Sequence, residues 1–347
     1  MLTVTDLFCG CGGFSYGFKD KGFKIEYAID IDLQFLQTFK RNIPECETIR
    51  IDLFNELFLK KISYTDIIIA GPPCQGFSLT GPRKINDPRN KLYSSVFHAI
   101  KKFSPKAFVV ENVRGLVSMW NGDVFKDILS EFETLNYDIS FKIINTAKYG
   151  IPQVRHRVFI VGINKSINKK FIFPKETHQK ENFVDCESAI GDLPDLIKNQ
   201  GEEVVDYKPI PKNQFQKYVM NANKLYNHVA TKHKQFVIDT IKLVPEGGNY
   251  KDLPKGVGEN RKFNEAWTRY HSKKPSKTID TGHRNHFHDR YNRVPTVREN
   301  ARLQSFKDSF QFLGSRTSQN FQVGNAVPPL FASLLASELL KILNEKN

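Results

Sequence analysis

The sequence predicts an α/β protein: a Rossmann-like parallel sheet with crossover helices, joined to a smaller, irregular domain. Short β-rich apolar runs alternate with helical stretches through the first half of the chain. Glycine-rich or acidic turns close several of those runs. From about residue 164 to 290 the alternation gives way to polar sequence punctuated by Pro209, Pro211, Pro245, Gly247, Gly248 and Pro254.

Strands are predicted at residues 3–8, 24–29, 48–51, 66–70, 107–110 and 158–161. The helical stretches between them make these strands candidates for a parallel sheet. A final helix is predicted over residues 329–343, where Leu and Ile recur at helical spacing and would pack back on the first domain. The expected domains are residues 1–163 with 315–347, and residues 164–314 between them.

Length and composition bound the rest. A chain of 347 residues can bury two cores. Its hydrophobic share is 40% and its mean hydropathy −0.43, and no apolar run nears the roughly 20 residues of a membrane-spanning helix. No membrane span is expected. The start, MLTVTDLFCG, lacks the basic and apolar regions of a signal peptide, so a cytoplasmic location is expected. The five cysteines (Cys9, Cys11, Cys46, Cys74, Cys186) are odd in number and form no CxxC pair, which indicates neither a disulfide frame nor a metal site. The net charge of +14 and pI near 9.4 favour a polyanionic partner. Nucleic acid leads an anionic membrane surface, because no basic amphipathic helix stands out. Residues 261–293 carry nine Lys or Arg against three acids, with Phe263, Trp267, Tyr270, Phe287 and Tyr291 interleaved. Cations there suit phosphates and aromatics suit bases; a solvated basic loop is the plain alternative.

Residues with chemistry to offer sit at the strand ends. The first strand leads into Asp6-Leu7-Phe8-Cys9-Gly10-Cys11-Gly12-Gly13-Phe14, a turn that lets a ligand approach the backbone. It lacks both the GKS or GKT end of a phosphate loop and the GxGxxG spacing. Asp30, ending the second strand, can take both hydroxyls of a ribose, and Asp52, ending the third, can accept from an adenine amino group. Either acid alone also reads as a helix cap or turn residue. As an ordered set they point to an adenosine-containing ligand without a required pyrophosphate. After the fourth strand comes GPPCQGFS, residues 71–78, where two prolines stiffen the approach to Cys74. A free cysteine is usually a small buried hydrophobe, but a Pro-Pro turn just past a strand is an unusual core position, so Cys74 is the candidate nucleophile. The fifth strand ends at Glu111-Asn112, whose carboxyl group can hydrogen-bond or protonate a ring nitrogen. Arg155 and Arg157, two apart on a strand, can share a face and hold a carbonyl oxygen, a phosphate or the acid itself, unless they are an ordinary surface pair.

In order, DLFCGCGGF, GPPCQGFS, ENV, QVRHR, the TVRENARLQSF of residues 296–306 and the QVGNAVPP of residues 322–329 resemble the motif set of the DNA cytosine-C5 methyltransferases of bacterial restriction-modification type. The match spans both ends of the chain and skips mainly residues 164–285. It implies an S-adenosylmethionine-dependent methyltransferase sheet in residues 1–163 with 315–347, and a target-recognition domain with hinge in residues 164–314. It implies S-adenosyl-L-methionine as cofactor, no metal, double-stranded DNA as substrate, a monomer on DNA, and functional pairing with a restriction endonuclease. By motif, Cys74 would add to C6 of a flipped-out cytosine, Glu111 would engage N3, and Arg157 would hold O2 with Arg155 in support. Gln75, Ser78 and Asn112 would shape the base pocket. Around the cofactor the resemblance sets Phe8, Gly10, Cys11, Gly13, Asp30 and Ile31, then Asp52, Leu53, Pro73, Leu92 and Asn325. Two departures stand out: Lys307 replaces a proline, and Ile31 replaces the aromatic residue of some members. From the basic stretch, Arg261, Arg269, Arg284 and Arg290 are expected on the DNA. The alternatives are an RNA (tRNA) cytosine-5 methyltransferase and a non-catalytic nucleic-acid-binding protein on the same scaffold. The long basic insert argues for duplex DNA, and retention of Cys74, Glu111, Arg155 and Arg157 argues for catalysis.

Overall fold

The computed structural model describes residues 1–73, 92–197, 199–258, 265–282 and 285–344. The chain divides into two compact units, Met1–Asn145 with His156–Lys175 and Pro329–Asn347, and Thr146–Arg155 with Glu176–Pro328. Residues 315–328, expected with the first domain, fall in the second unit, and residues 164–175 fall in the first.

In the first unit, β1 (Thr3–Leu7), β2 (Lys24–Asp30), β3 (Glu47–Arg50), β4 (Ile67–Ala70), β5 (Ala107–Val113), β6 (Tyr137–Asn145) and β7 (His156–Asn164) form one sheet in the order β3-β2-β1-β4-β5-β7-β6. Strands β1 to β5 pair in parallel, as expected. Strand β7 runs antiparallel to both neighbours, which corrects the all-parallel expectation, and β6 is a strand not anticipated. The reversal brings the amino end of β7, with Arg157, beside the carboxyl end of β5. The strand order turns back between β1 and β4, the switch point outside which open α/β sheets bind ligands.

Local sequence explains the elements. Ile67-Ile68-Ile69 in β4 is wholly buried, the continuous apolar run of a strand covered on both faces. Helix α1 (Gly13–Lys19) follows the glycine turn, and α2 (Leu33–Asn42) starts on Asp32, whose Oδ1 accepts from the N–H groups of Gln34 at 2.8 Å and Phe35 at 3.2 Å. Helices α3 (Leu92–Phe103) and α4 (Asp123–Glu133) supply Val96, Ile100, Phe125, Ile128 and Phe132 to a core shared with Phe108 and Val110 of β5. Phe159 of β7 meets Phe14 and, from the last helix Pro329–Asn344, Phe331, with ring centroids 6.4 and 4.8 Å apart. The last helix lies so close to α1 that a Cβ on Gly17 would sit 2.4 Å from the Pro329 carbonyl oxygen and 2.5 Å from Ala332 Cβ. We therefore expect Gly17→Ala to destabilise the fold by about 3 kcal/mol. A urea-denaturation midpoint equal to that of the wild type would contradict this close approach. One stretch, Arg316–Asn344, is long and apolar enough to cross a membrane, but its backbone leaves the helix at residues 326–328 and 56% of its apolar window is buried in the protein.

The second unit contains α5 (Cys186–Ile190), α6 (Gln214–Val219), α7 (Gln235–Leu243), α8 (Val297–Leu303) and α9 (Arg316–Asn325). It also has an antiparallel ribbon of β8 (Val204–Asp206) with β9 (Lys224–Tyr226), and a parallel pair of β10 (Thr268–Arg269) with β11 (His286–Phe287). Its interior is ionic. Arg302 bridges Asp192 and Asp308 at 2.7 Å each, Arg293 holds Glu299 at 2.6 Å, and His288 sits 2.8 Å from Asp289. Burial would raise the Glu299 carboxyl, but Arg293 and His288 beside it hold it well below the usual carboxylate range. Thr296 and Glu299 form a reciprocal cap at the start of α8, which fixes the acid that these cations need.

Candidate functional site

At the carboxyl end of β1 the chain turns through Phe8, Gly10 and Gly12, all at positive φ. Gly12 must be glycine, since a Cβ would lie 2.8 Å from the Phe39 ring, whereas a Cβ on Gly10 would meet nothing within 4 Å. The backbone at Gly10 thus borders open space among the described residues. Asp30, ending β2, stands beside it: its Oδ2 accepts from the Gly10 N–H and its Oδ1 from the Asp32 N–H, both at 2.9 Å. Burial pushes the Asp30 carboxyl up, and these backbone donors oppose the shift. Beyond it, Ile31 is 59% exposed, an apolar surface beside a carboxylate. The β2–β3 register sets Asp30 opposite Arg50 and brings Asp52 to the same edge, with its carboxylate exposed. Strand β3 ends at Arg50, so Asp52 lies two residues past the strand rather than at its tip. Leu53 is buried in the core. A carboxylate braced by two backbone donors, an open glycine backbone and an exposed aliphatic face together fit the ribose and adenine of a nucleoside. Asp6, quoted in the motif but given no role from sequence, ties β1 to α1: Ser15 Oγ donates to its Oδ2 at 2.6 Å, and burial pushes its carboxyl up to about 8.

The second cluster lies across the switch point. Gly71 follows β4, and its N–H donates to the Leu7 carbonyl at 3.3 Å. Asn112 Nδ2 donates to the Pro72 carbonyl at 3.1 Å, which fastens the Pro-Pro turn to the end of β5. A Cβ on Gly71 would lie 3.8 Å from Glu111 Oε2, so the carboxylate stands beside the same turn. In the antiparallel register Val113 faces Arg157 and Glu111 faces Phe159, which makes Glu111 and Arg157 diagonal neighbours on one face. Arg157 Nε approaches Glu111 Oε1 at 3.0 Å, with the side chains 16% and 11% exposed. Oε1 is buried and its neighbour at 3.0 Å is the Arg157 guanidinium, so the carboxylate and the cation stand together beside the turn.

Cys74, Gln75, Ser78, Arg261 and Arg284 lie outside the described residues, as does the Leu92 side chain at the start of α3. Pro73, immediately before Cys74, is exposed. The four described cysteines, Cys9, Cys11, Cys46 and Cys186, are all buried free thiols. Burial pushes each of them up, Cys11 and Cys46 to about 12. Arg155 precedes β7 instead of lying on it, is buried, and donates from Nη1 to the Gly324 carbonyl at 3.0 Å. Arg269 is likewise buried, with Nη2 on the Ile241 carbonyl at 2.5 Å and on Asn292 Oδ1 at 2.8 Å, so it braces the fold instead of offering charge to phosphate. Arg290 is exposed and stacks over Tyr291. Asn325 is exposed at the end of α9, its neighbouring carbonyls held by Arg155 and by Gln304 Nε2 at 2.6 Å. Gln153, missed in the sequence, is fully buried and binds Gln304 Oε1, the Leu303 carbonyl and the Ile279 N–H.

A family model for C-5 cytosine-specific DNA methylases matches residues 2–341. The chain belongs to that family. The methylase is 37% identical over 380 residues to the type II methyltransferase M.DdeI of Desulfomicrobium norvegicum, covering 100% of this chain and 92% of that protein. It is 36% identical to the type II methyltransferase M1.HphI of Haemophilus parahaemolyticus, covering 98% of this chain and 87% of the relative. Among solved structures, an E. coli prophage-encoded chain described as a DNA modification methyltransferase superposes with a TM-score of 0.79 at 26% identity, over 99% of this chain and 100% of that one. The Dnmt2 methyltransferase of S. pombe shares the fold, with a TM-score of 0.66 at 17% identity over 99% of this chain and 100% of that one. The methylase is a DNA cytosine-5 methyltransferase that uses S-adenosyl-L-methionine.

Proposed function

We propose that the methylase modifies C5 of a flipped-out cytosine within a specific double-stranded DNA sequence, through a covalent bond between Cys74 Sγ and cytosine C6. It would act as a monomer, in the cytoplasm, as the protective partner of a type II restriction endonuclease. The observation that carries this reading is the Glu111–Arg157 ion pair, 3.0 Å apart, beside the turn that leads to Cys74.

Cytosine C5 is a poor nucleophile until electrons are pushed toward it. Cys74 adding to C6, with the Glu111 carboxyl engaging N3, gives C5 enamine character. Arg157 is oriented by Glu111 and holds the cytosine O2, while Asn112 keeps the Pro72 turn in register with that pair. Asp30 and the Gly10 backbone hold the ribose side of the cofactor, with Ile31 and Asp52 at its adenine. Bound there, S-adenosylmethionine would supply a methyl group on a positively charged sulfur, which is left as the neutral thioether when the carbon–sulfur bond breaks and C5 takes the methyl. Loss of the C5 proton to water and expulsion of Cys74 from C6 as its thiolate would then restore aromaticity. None of this can proceed inside a stacked duplex, because C6 is reached from above the ring, so the base must leave the helix at a cost of a few kcal/mol. The net charge of +14 supplies compensating phosphate contacts. Bisulfite sequencing of DNA from cells expressing the chain tests the reading. It should reveal 5-methylcytosine confined to one sequence context, and unmodified DNA would refute it. A methylated tRNA with unmodified DNA would transfer the same chemistry to RNA.

A further inference from the structure

Strand β3 gives out beside the end of β2, and one of its side chains takes over from its backbone. The β2–β3 register runs from Tyr27 opposite Glu47 to Asp30 opposite Arg50, and the Ile51 N–H adds a last rung to the Asp30 carbonyl at 3.2 Å. The chain then leaves the sheet in a turn at Asp52, whose Oδ1 accepts from the Phe54 N–H at 3.0 Å and whose carbonyl accepts from the Asn55 N–H at 2.9 Å. That turn carries the backbone donors away from the next carbonyl of the neighbouring chain, the one on Ile31. Arg50 Nε donates to it instead, at 3.1 Å.

Ile31 is thus fixed from both neighbours and from β3. Asp30 spans it, with Oδ2 on the Gly10 N–H and Oδ1 on the Asp32 N–H, while Asp32 caps α2 through the Gln34 and Phe35 N–H groups. So held, the Ile31 side chain stands 59% exposed between two acidic residues. An aliphatic side chain gains by leaving water, and a loose turn would let it fold down. Tethers that keep it out suit a surface that a flat apolar ligand covers. Isoleucine has no π face, so what it gives a purine is contact alone, and contact fades with a fraction of an ångström of misplacement. Arg50 itself is exposed, and among the described residues the bond to the Ile31 carbonyl is the one hydrogen bond its side chain makes.

We propose that Arg50 is a positioning residue for the cofactor: by holding the Ile31 carbonyl, it keeps the Ile31 side chain turned outward as the platform for the adenine of S-adenosylmethionine. This rests on the cofactor site proposed above and adds to it a residue that lies outside the sequence motifs. Arg50 acts through Ile31, so its effect vanishes when the platform is removed.

The test measures S-adenosylmethionine affinity by equilibrium dialysis without DNA, in the wild type, Arg50→Met, Arg50→Gln, Ile31→Ala, the double variant of Arg50→Met with Ile31→Ala, and Asp30→Ala. Urea midpoints are recorded alongside. Methionine puts a methyl group, and glutamine an N–H donor, as many bonds from the backbone as arginine Nε. Arg50→Met should weaken binding about fivefold, the scale of one hydrogen bond, with the urea midpoint unchanged because the side chain is exposed. Arg50→Gln restores the donor without the charge and should stay within about twofold of the wild type. Ile31→Ala should weaken binding by itself, and Arg50→Met added to it should cost nothing more, the mark of one residue acting through another. Wild-type affinity in Arg50→Met, a loss in Arg50→Gln as large as in Arg50→Met, or the same further loss in the Ile31→Ala background would each overturn the proposal, as would a urea midpoint that falls with the affinity. Unchanged affinity in Asp30→Ala would instead refute the cofactor site itself, so the two failures are distinguishable.

Discussion

Cys74→Ser is expected to lower methyl transfer by about 10⁴-fold or more while leaving S-adenosylmethionine and DNA binding intact. A thiolate is polarisable and accessible near neutral pH, whereas a serine hydroxyl ionises far above it and adds poorly to a ring carbon. No other described cysteine can stand in. Cys9, Cys11, Cys46 and Cys186 are all buried, with thiols pushed up by that burial, so they carry almost no thiolate at neutral pH. The measurements are transfer of labelled methyl to duplex DNA and a mobility-shift titration. DNA containing 5-fluorocytosine adds a direct readout, because its C5 substituent cannot leave as a proton: the wild type should be trapped covalently and the variant should not. Wild-type turnover in Cys74→Ser would remove the nucleophile and with it the proposed chemistry.

The parts of this enzyme legible in the sequence were those in which one residue's neighbours along the chain are also its neighbours in space. Gly10 and Asp30 could be paired from their strand-end positions because β1 and β2 are adjacent, and the observed 2.9 Å bond between them depends on that adjacency. Strand direction was not legible. The apolar run at residues 158–161 reads the same either way, so the antiparallel setting of β7 appeared only in the pairing with β5. Strand β6 escaped because Tyr137-Asp138-Ile139-Ser140-Phe141 alternates at a sheet edge, where Phe141 is half exposed, and offers no continuous apolar run. The second unit misled for a different reason. Composition counts a charge without its partner, so Arg269, Arg293 and His288 looked like a basic surface. In the fold all three are buried, and carbonyls, Glu299 and Asp289 from distant or adjacent positions take part of their charge and donors. Gln153 and Gln304 fall within the QVRHR and TVRENARLQSF motifs, but their pairing was not legible, because an amide pair 151 residues apart has no local pattern.

Glu111→Gln separates charge and proton from shape, and is expected to reduce turnover by about 10³-fold, within the range of a lost general acid. Glutamine keeps an oxygen for Arg157 but can neither carry the negative charge that orients the guanidinium nor give a proton to the cytosine N3. The surrounding frame does not depend on that charge. The β5–β7 register is set by backbone pairing, and Asn112 still holds the Pro72 carbonyl. Cofactor affinity, which we propose draws on Gly10 and Asp30 at β1 and β2, should therefore stay at the wild-type value in equilibrium dialysis, and the loss should fall on kcat rather than on the KM for S-adenosylmethionine. Unchanged turnover would leave the buried Oε1 without a chemical task. A rise in KM with kcat preserved would make Glu111 a binding group for the base, acting before the bond to C6 forms.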